Sequence, residues 1–270
     1  MICVLYTIEK VPMSEKITAA NLDLVISRNQ EIQQEIADCN YDLMINEECS
    51  WDIPSPQLGF LLLQKRGLVL FPIEDPYWSG GIFTKDGISI PVINTAQPRV
   101  NQYFTAWHEL YHLLYDKVSF DHQVGSEITI EERKADNFAA SMLLSGVQQY
   151  FSGLTEKNFV SKIFFCMSMF QSPYKAVLIA LYEYGVEKTD EQLCSMIKLH
   201  FDDRFDDLPE RFRRLGLDDN LVLPSYTINI NYLRERINEQ RIERPDLRYN
   251  ESNSQSLDRI LEQINLLLRK

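Results

Sequence analysis

The stretch Phe104-Thr105-Ala106-Trp107-His108-Glu109-Leu110-Tyr111-His112-Leu113-Leu114-Tyr115 decides how the chain is read. It lacks Gly and Pro, and its apolar and aromatic residues predict a helix buried on most sides. On a helix His108 and His112 project from one face, one turn apart, so two neutral imidazoles can reach one metal ion. Glu109 lies about 100° further round, where its carboxylate can meet a metal-bound water without being a ligand. The chain has 4 histidines and spends two of them here. Inside an apolar helix, bare imidazoles would be costly without partners. That weighs against the plain alternative of three polar residues on a solvated helix face.

A catalytic zinc takes a third protein ligand and keeps one position open. The run Ile130-Glu131-Glu132-Arg133-Lys134-Ala135-Asp136-Asn137-Phe138-Ala139-Ala140-Ser141-Met142-Leu143-Leu144 offers one. Its acidic first turn and apolar Ala135, Phe138, Ala139, Met142 and Leu143 predict a second helix. Glu132 and Asp136 share a face of it. Glu132 can bind the metal, while Asp136 accepts the other N–H of a ligand histidine and fixes its tautomer. Alternatively, Glu131, Glu132 and Asp136 form a solvated acidic face.

Together, H-E-L-Y-H at 108–112 and E-R-K-A-D-N-F-A-A-S-M-L-L at 132–144 resemble the ImmA/IrrE family of metallopeptidases. Gly67 to Phe71 and Ile88 to Asn94 resemble the strands that precede the family's metal helix, and Arg99 to Thr105 its lead-in. The similarity covers residues 45–150, and 155–187 more loosely. Tyr111 stands where the family usually has a small residue, and Ser145-Gly146 replace its closing Pro. The resemblance implies His108, His112 and Glu132 as ligands of one Zn²⁺ and Glu109 as general base, with Asp136 behind a histidine. It further implies a bacterial or phage metalloprotease that cleaves a helix-turn-helix transcriptional repressor, derepressing a mobile element or stress response. The ligand set also admits other divalent metals. The alternative function is a non-catalytic metal-binding regulator acting by protein–protein interaction; an intact Glu109 counts against it.

The rest of the chain fits around this. With 27 Lys and Arg against 39 Asp and Glu, the net charge of −12 argues against a broad nucleic-acid surface. Five scattered cysteines without C-x-x-C spacing read as reduced thiols in a cytoplasmic protein. Met1 to Ile8 is apolar, lacks the flanks of a leader, is too short to span a bilayer, and reads as a strand. Ser14 caps a helix running to about Cys39. Gln57 to Lys65 is a short helix before the strand Leu68 to Ile73. Ile82 to Thr84 and Ile88 to Ile93 flank a turn at Lys85-Asp86-Gly87, and Pro91 makes the second strand an edge strand or bulged. The hairpin near Gly80 to Thr84 is either the edge that pairs with a substrate backbone or a purely structural one.

For an oxyanion donor near the metal the candidates are His122 in the loop at 116–129, Tyr111, Tyr115 and Tyr103. Residues 157–187 read as helix-turn-helix, with Ser172-Pro173 as N-cap and first helical residue and Gly185 as the end. The would-be recognition helix has one basic residue, Lys175, so direct DNA binding is disfavoured. Beyond His200, which has no partner at ligand spacing, the chain is rich in mixed charge. Its last helix carries a stripe of Leu257, Ile260, Leu261, Ile264, Leu267 and Leu268 that must pack on something.

The expected architecture is α+β. An N-terminal strand and helix (1–45) precede a zincin-like metallopeptidase domain (46–150), a helix-turn-helix-like region (151–200) and a charged helical C-terminal part (201–270).

Overall fold

A computed structural model describes residues 16–47, 52–85, 88–116, 129–247 and 250–267. Within them the chain is α+β and mostly helical, with a three-stranded sheet. The expected strand at Met1 to Ile8, the Ser14 cap and His122 lie outside the described residues.

A 3₁₀ turn at Ala19–Asn21 leads into α1, Leu22–Asn46, which runs past the expected end at Cys39. The buried stripe Val25, Ile26, Ile32 and Ile36 continues to Leu43, one heptad on, so burial carries the helix further than the apolar density suggests. Helix α2, Ser55–Gln64, closes with the Leu68 N–H donating to the Leu63 carbonyl at 3.1 Å and the Gly67 N–H to the Gln64 carbonyl at 3.1 Å. Gly67 sits there at φ +85°, a left-handed stop that redirects the chain into the sheet.

The sheet comprises β1 (Val69–Phe71), β2 (Gly80–Lys85) and β3 (Ile88–Asn94), in the order β1-β3-β2. β3 pairs antiparallel with β2 from Gly80↔Ile93 to Lys85↔Ile88, and parallel with β1 from Val69↔Val92 to Phe71↔Asn94. The strand holding Pro91 is therefore central, not an edge strand. It tolerates proline because β1 reaches only as far as Val92. The Asn94 N–H donates to the Ser79 carbonyl on the β2 side, so by the pleat's alternation the Pro91 nitrogen points to the open side below β1.

The two helices that carry the candidate ligands follow: α3 (Arg99–Tyr115) and α4 (Ile130–Leu143). Then come α5 (Val147–Gly153), α6 (Phe159–Phe170) and α7 (Tyr174–Glu187), with a 107° bend between α6 and α7. Ser172 does not cap α7; its Oγ donates back to the Phe170 carbonyl at 3.0 Å, and Pro173 takes the N-cap place. Nor does α7 stop at Gly185. That glycine lets α8 (Glu191–His200) approach so closely that a Cβ there would lie 2.8 Å from Cys194 Sγ. Val177, Leu178, Leu181 and Tyr182 of α7 are core residues, and Lys175 Nζ donates to the Ile17 carbonyl at 2.6 Å.

After α9 (Leu208–Arg214) and a 3₁₀ turn at Asp219–Val222, the chain returns to the sheet. Leu70 and Asn229 exchange both backbone hydrogen bonds at 2.8 Å, covering the outer edge of β1. Helices α10 (Asn231–Glu243) and α11 (Asn250–Leu267) then close one sheet face: Ile230, Leu233, Ile237 and Leu257 pack on Val69, Phe71, Ile90 and Val92. The other face, through Leu70 and Ile93, joins the main core with α2 and α3. Leu257 and Leu261 of the C-terminal stripe thus dock on their own chain. Among the described residues no single helix is long and apolar enough to cross a membrane.

Candidate metal centre

Helix α3 is held firmly at its start. Gln102, buried in its first turn, donates to the Gln97 carbonyl at 2.6 Å and accepts from Ser225 Oγ at 2.8 Å. Its inner face, Ala106, Trp107, Leu110 and Tyr111, is fully buried, which turns His108 and His112 toward α4. Phe138 of α4 packs on Trp107, Tyr111 and Tyr115 with ring centroids 6.1, 5.6 and 5.8 Å apart. This aromatic cluster fixes the spacing of the two helices and brings Glu132 and Asp136 over the histidines.

The three side chains expected as ligands converge and could hold a metal ion. His108 Nε2 lies 3.1 Å from His112 Nε2 and 3.3 Å from Glu132 Oε2, and His112 Nε2 lies 4.0 Å from Glu132 Oε1. Ligands on a tetrahedral zinc stand about 3.3 Å apart, given bonds of about 2.0–2.1 Å. The residues present therefore fit such an ion. The far side of each imidazole is also occupied: His108 Nδ1 meets Asp136 Oδ1 at 2.9 Å, and His112 Nδ1 meets Asp116 Oδ2 at 2.5 Å. Nδ1–H groups donated to these carboxylates leave two Nε2 lone pairs facing each other, an arrangement that favours a cation between them.

Charge reinforces this. Burial alone would push the His108 imidazole pKa down, but Asp136 and Glu132 outweigh it and hold it well up. Burial likewise opposes ionisation of Glu132 and Asp136, yet the His108 contacts, and Arg133 beside Asp136, keep both carboxyls below their usual range. Carboxylates that favour a proton on His108 would equally favour a cation in its place.

Glu109 is buried, and burial pushes its carboxyl above the usual range against the pull of both histidines. The start of β2 passes directly over it. A Cβ built on Gly80 would lie 2.5 Å from Thr105 Cγ2, 2.9 Å from the Val92 carbonyl and 3.3 Å from Glu109 Oε1. Only glycine lets the strand run this close to the carboxylate. Gly80→Ala is expected to cost about 1–3 kcal/mol by overpacking, read from urea denaturation. Thr105→Ser, which removes the clashing methyl, should restore part of the loss in the double variant. An undiminished Gly80→Ala protein would show that the strand has room to shift.

The remaining sequence candidates are placed elsewhere. Tyr115 donates its hydroxyl to the Cys39 carbonyl on α1 at 2.9 Å, so it is committed away from the ligand atoms. The Tyr111 ring is enclosed between Phe138 and Tyr115, and burial pushes its phenol pKa far up. Tyr103 packs edge-on against Phe60 on α2. Two site residues escaped sequence reasoning. Asp116 stands four residues after His112, a spacing that could have flagged it. Arg133, wholly buried, holds Asp136 Oδ2 at 2.7 Å, and no local pattern announces a buried arginine.

No protein-family model, curated protein or solved structure matches the chain.

Proposed function

We propose that the chain is a zinc-dependent endopeptidase of the ImmA/IrrE kind, with a zincin-like catalytic unit, acting in the cytoplasm. Its substrate would be a regulatory protein, a helix-turn-helix repressor whose cleavage derepresses a mobile element or stress response. The observation that carries the reading is the buried carboxylate of Glu109 beside a converging His108, His112 and Glu132. A purely structural metal site has no use for it.

A divalent cation in this position supplies Lewis acidity, acidifying water and polarising a carbonyl. The protein's own part is proton handling and alignment. Glu109, its basicity raised by burial, takes the proton from the attacking water and delivers it to the departing amine. Among the described residues β2 pairs with β3 on one side only, so its other edge can receive an extended peptide as a further strand. Gly80 then sets the peptide's distance from Glu109. The acidic chain and the internal use of Lys175 both weigh against direct DNA recognition by α7.

Elemental analysis of purified protein, wild type against Glu132→Ala, tests the ligand set. About one zinc per wild-type chain, largely lost in the variant, is the expected result. A wild type that takes up no zinc when supplied with it would sink the peptidase reading.

A further inference from the structure

Behind the ligands lies a chain of buried polar contacts that the proposed chemistry does not itself require. Arg133 is 2% exposed, and its two bonded nitrogens face different elements. Nη1 donates to Asp136 Oδ2 at 2.7 Å, while Nε donates to Asn29 Oδ1 of α1 at 3.1 Å. The Glu183 carboxyl of α7 is near enough that the Arg133 charge and the Asn29 amide partly offset the burial that raises its pKa. Burying a guanidinium is expensive, and a whole buried ion pair can often be replaced by apolar side chains of similar volume at little loss of stability, so stability alone does not account for this one. What the arginine adds is direction. With one Asp136 oxygen held by Nη1, the other is left at 2.9 Å from His108 Nδ1. His112 has no equivalent: its partner Asp116 lies on the same stretch of chain, and among the described residues no cation stands behind it.

We infer that Arg133 is a positioning residue, seated by Asn29, that orients Asp136 and through it His108. The metal affinity of the site is thereby governed from α1, which carries no ligand. The inference rests on the metal-site reading above, and its test separates the two.

The measurement is the zinc dissociation constant of the full chain, by competition with a chromogenic chelator, for wild type, Arg133→Met, Asp136→Asn and the double variant. Each single change is expected to weaken zinc binding about 10–100-fold, the usual range for groups behind a ligand. The double variant should bind no more weakly than Asp136→Asn alone, because Arg133 acts only through that carboxylate. Losses that multiply in the double variant would mean that Arg133 merely supports the fold, and would overturn the inference. Unchanged affinity in Arg133→Met would do the same. If Arg133→Met does not fold, Arg133→Lys and Asn29→Ala take its place: both should weaken binding less than Asp136→Asn, and wild-type affinity in both overturns the inference. A wild type without zinc uptake, indifferent to His108→Ala, would remove the metal site and this inference together. A zinc-binding wild type with indifferent Arg133 variants removes the inference alone.

Discussion

Glu109→Gln is expected to lower peptide-bond cleavage by about 10²–10⁴-fold, the usual contribution of a positioned general base, while zinc content stays that of the wild type. The amide matches the carboxylate in size, so the tight space beneath Gly80 is still filled. Because burial already disfavours the charged form of Glu109, the variant should melt at or above the wild-type temperature. A cleavage assay on the proposed class of substrate, a helix-turn-helix repressor, run beside a thermal melt and metal analysis, separates the outcomes. Undiminished cleavage would strip Glu109 of its role; loss of zinc would move it into the ligand set.

Trp107→Ala should be the most destabilising single change around the candidate metal site, at about 3–5 kcal/mol. The side chain is fully buried, and its indole N–H donates to the Ser55 carbonyl at 3.0 Å. It packs on Phe138 and so closely on α2 that a Cβ at Gly59 would stand 3.0 Å from the ring. Removing it opens a cavity where α2, α3 and α4 meet. Phe138 would lose one of the rings that set the spacing of the metal helices, so zinc affinity should fall along with stability. Trp107→Phe keeps most of the volume and loses only the hydrogen bond, so a much smaller change is expected. Urea denaturation monitored by circular dichroism measures both; a loss under about 1 kcal/mol for Trp107→Ala would mean that the helices close over the gap.

What the sequence discloses and what it conceals divide along physical lines. The two metal-site helices could be read residue by residue, because spacing along a helix sets which side chains share a face. His108, His112, Glu132 and Asp136 all follow from that periodicity. The end of α1 was misplaced because Leu43 continues the buried stripe across a run of polar residues. Pro91 suggested an edge strand, since pairing partners are a property of the assembled sheet; the short reach of β1 is what admits it to a central strand. Arg133 and Asn29 are 104 residues apart, and no local pattern relates them. The role of Gly80 depends on a helix that begins well after it. The apolar stripe of the last helix announced that it must pack on something, its own chain or a partner, but nothing local says that the surface it meets is the sheet.

That return of the C-terminal part governs the order in which the molecule can be made. Leu70 leaves the ribosome long before Asn229, its partner on the outer edge of the sheet. Until then β1 presents an unpaired edge, and Val69, Phe71, Ile90 and Val92 lack the cover that Ile230, Leu233, Ile237 and Leu257 later provide. Nascent chains therefore pass through a long interval with a sticky, half-built sheet, the condition under which chaperones are engaged and aggregation competes with folding. Contacts so distant along the chain also make folding slow for its size. Glu109 and the candidate ligands are encoded well before the segment that finishes the sheet beside them.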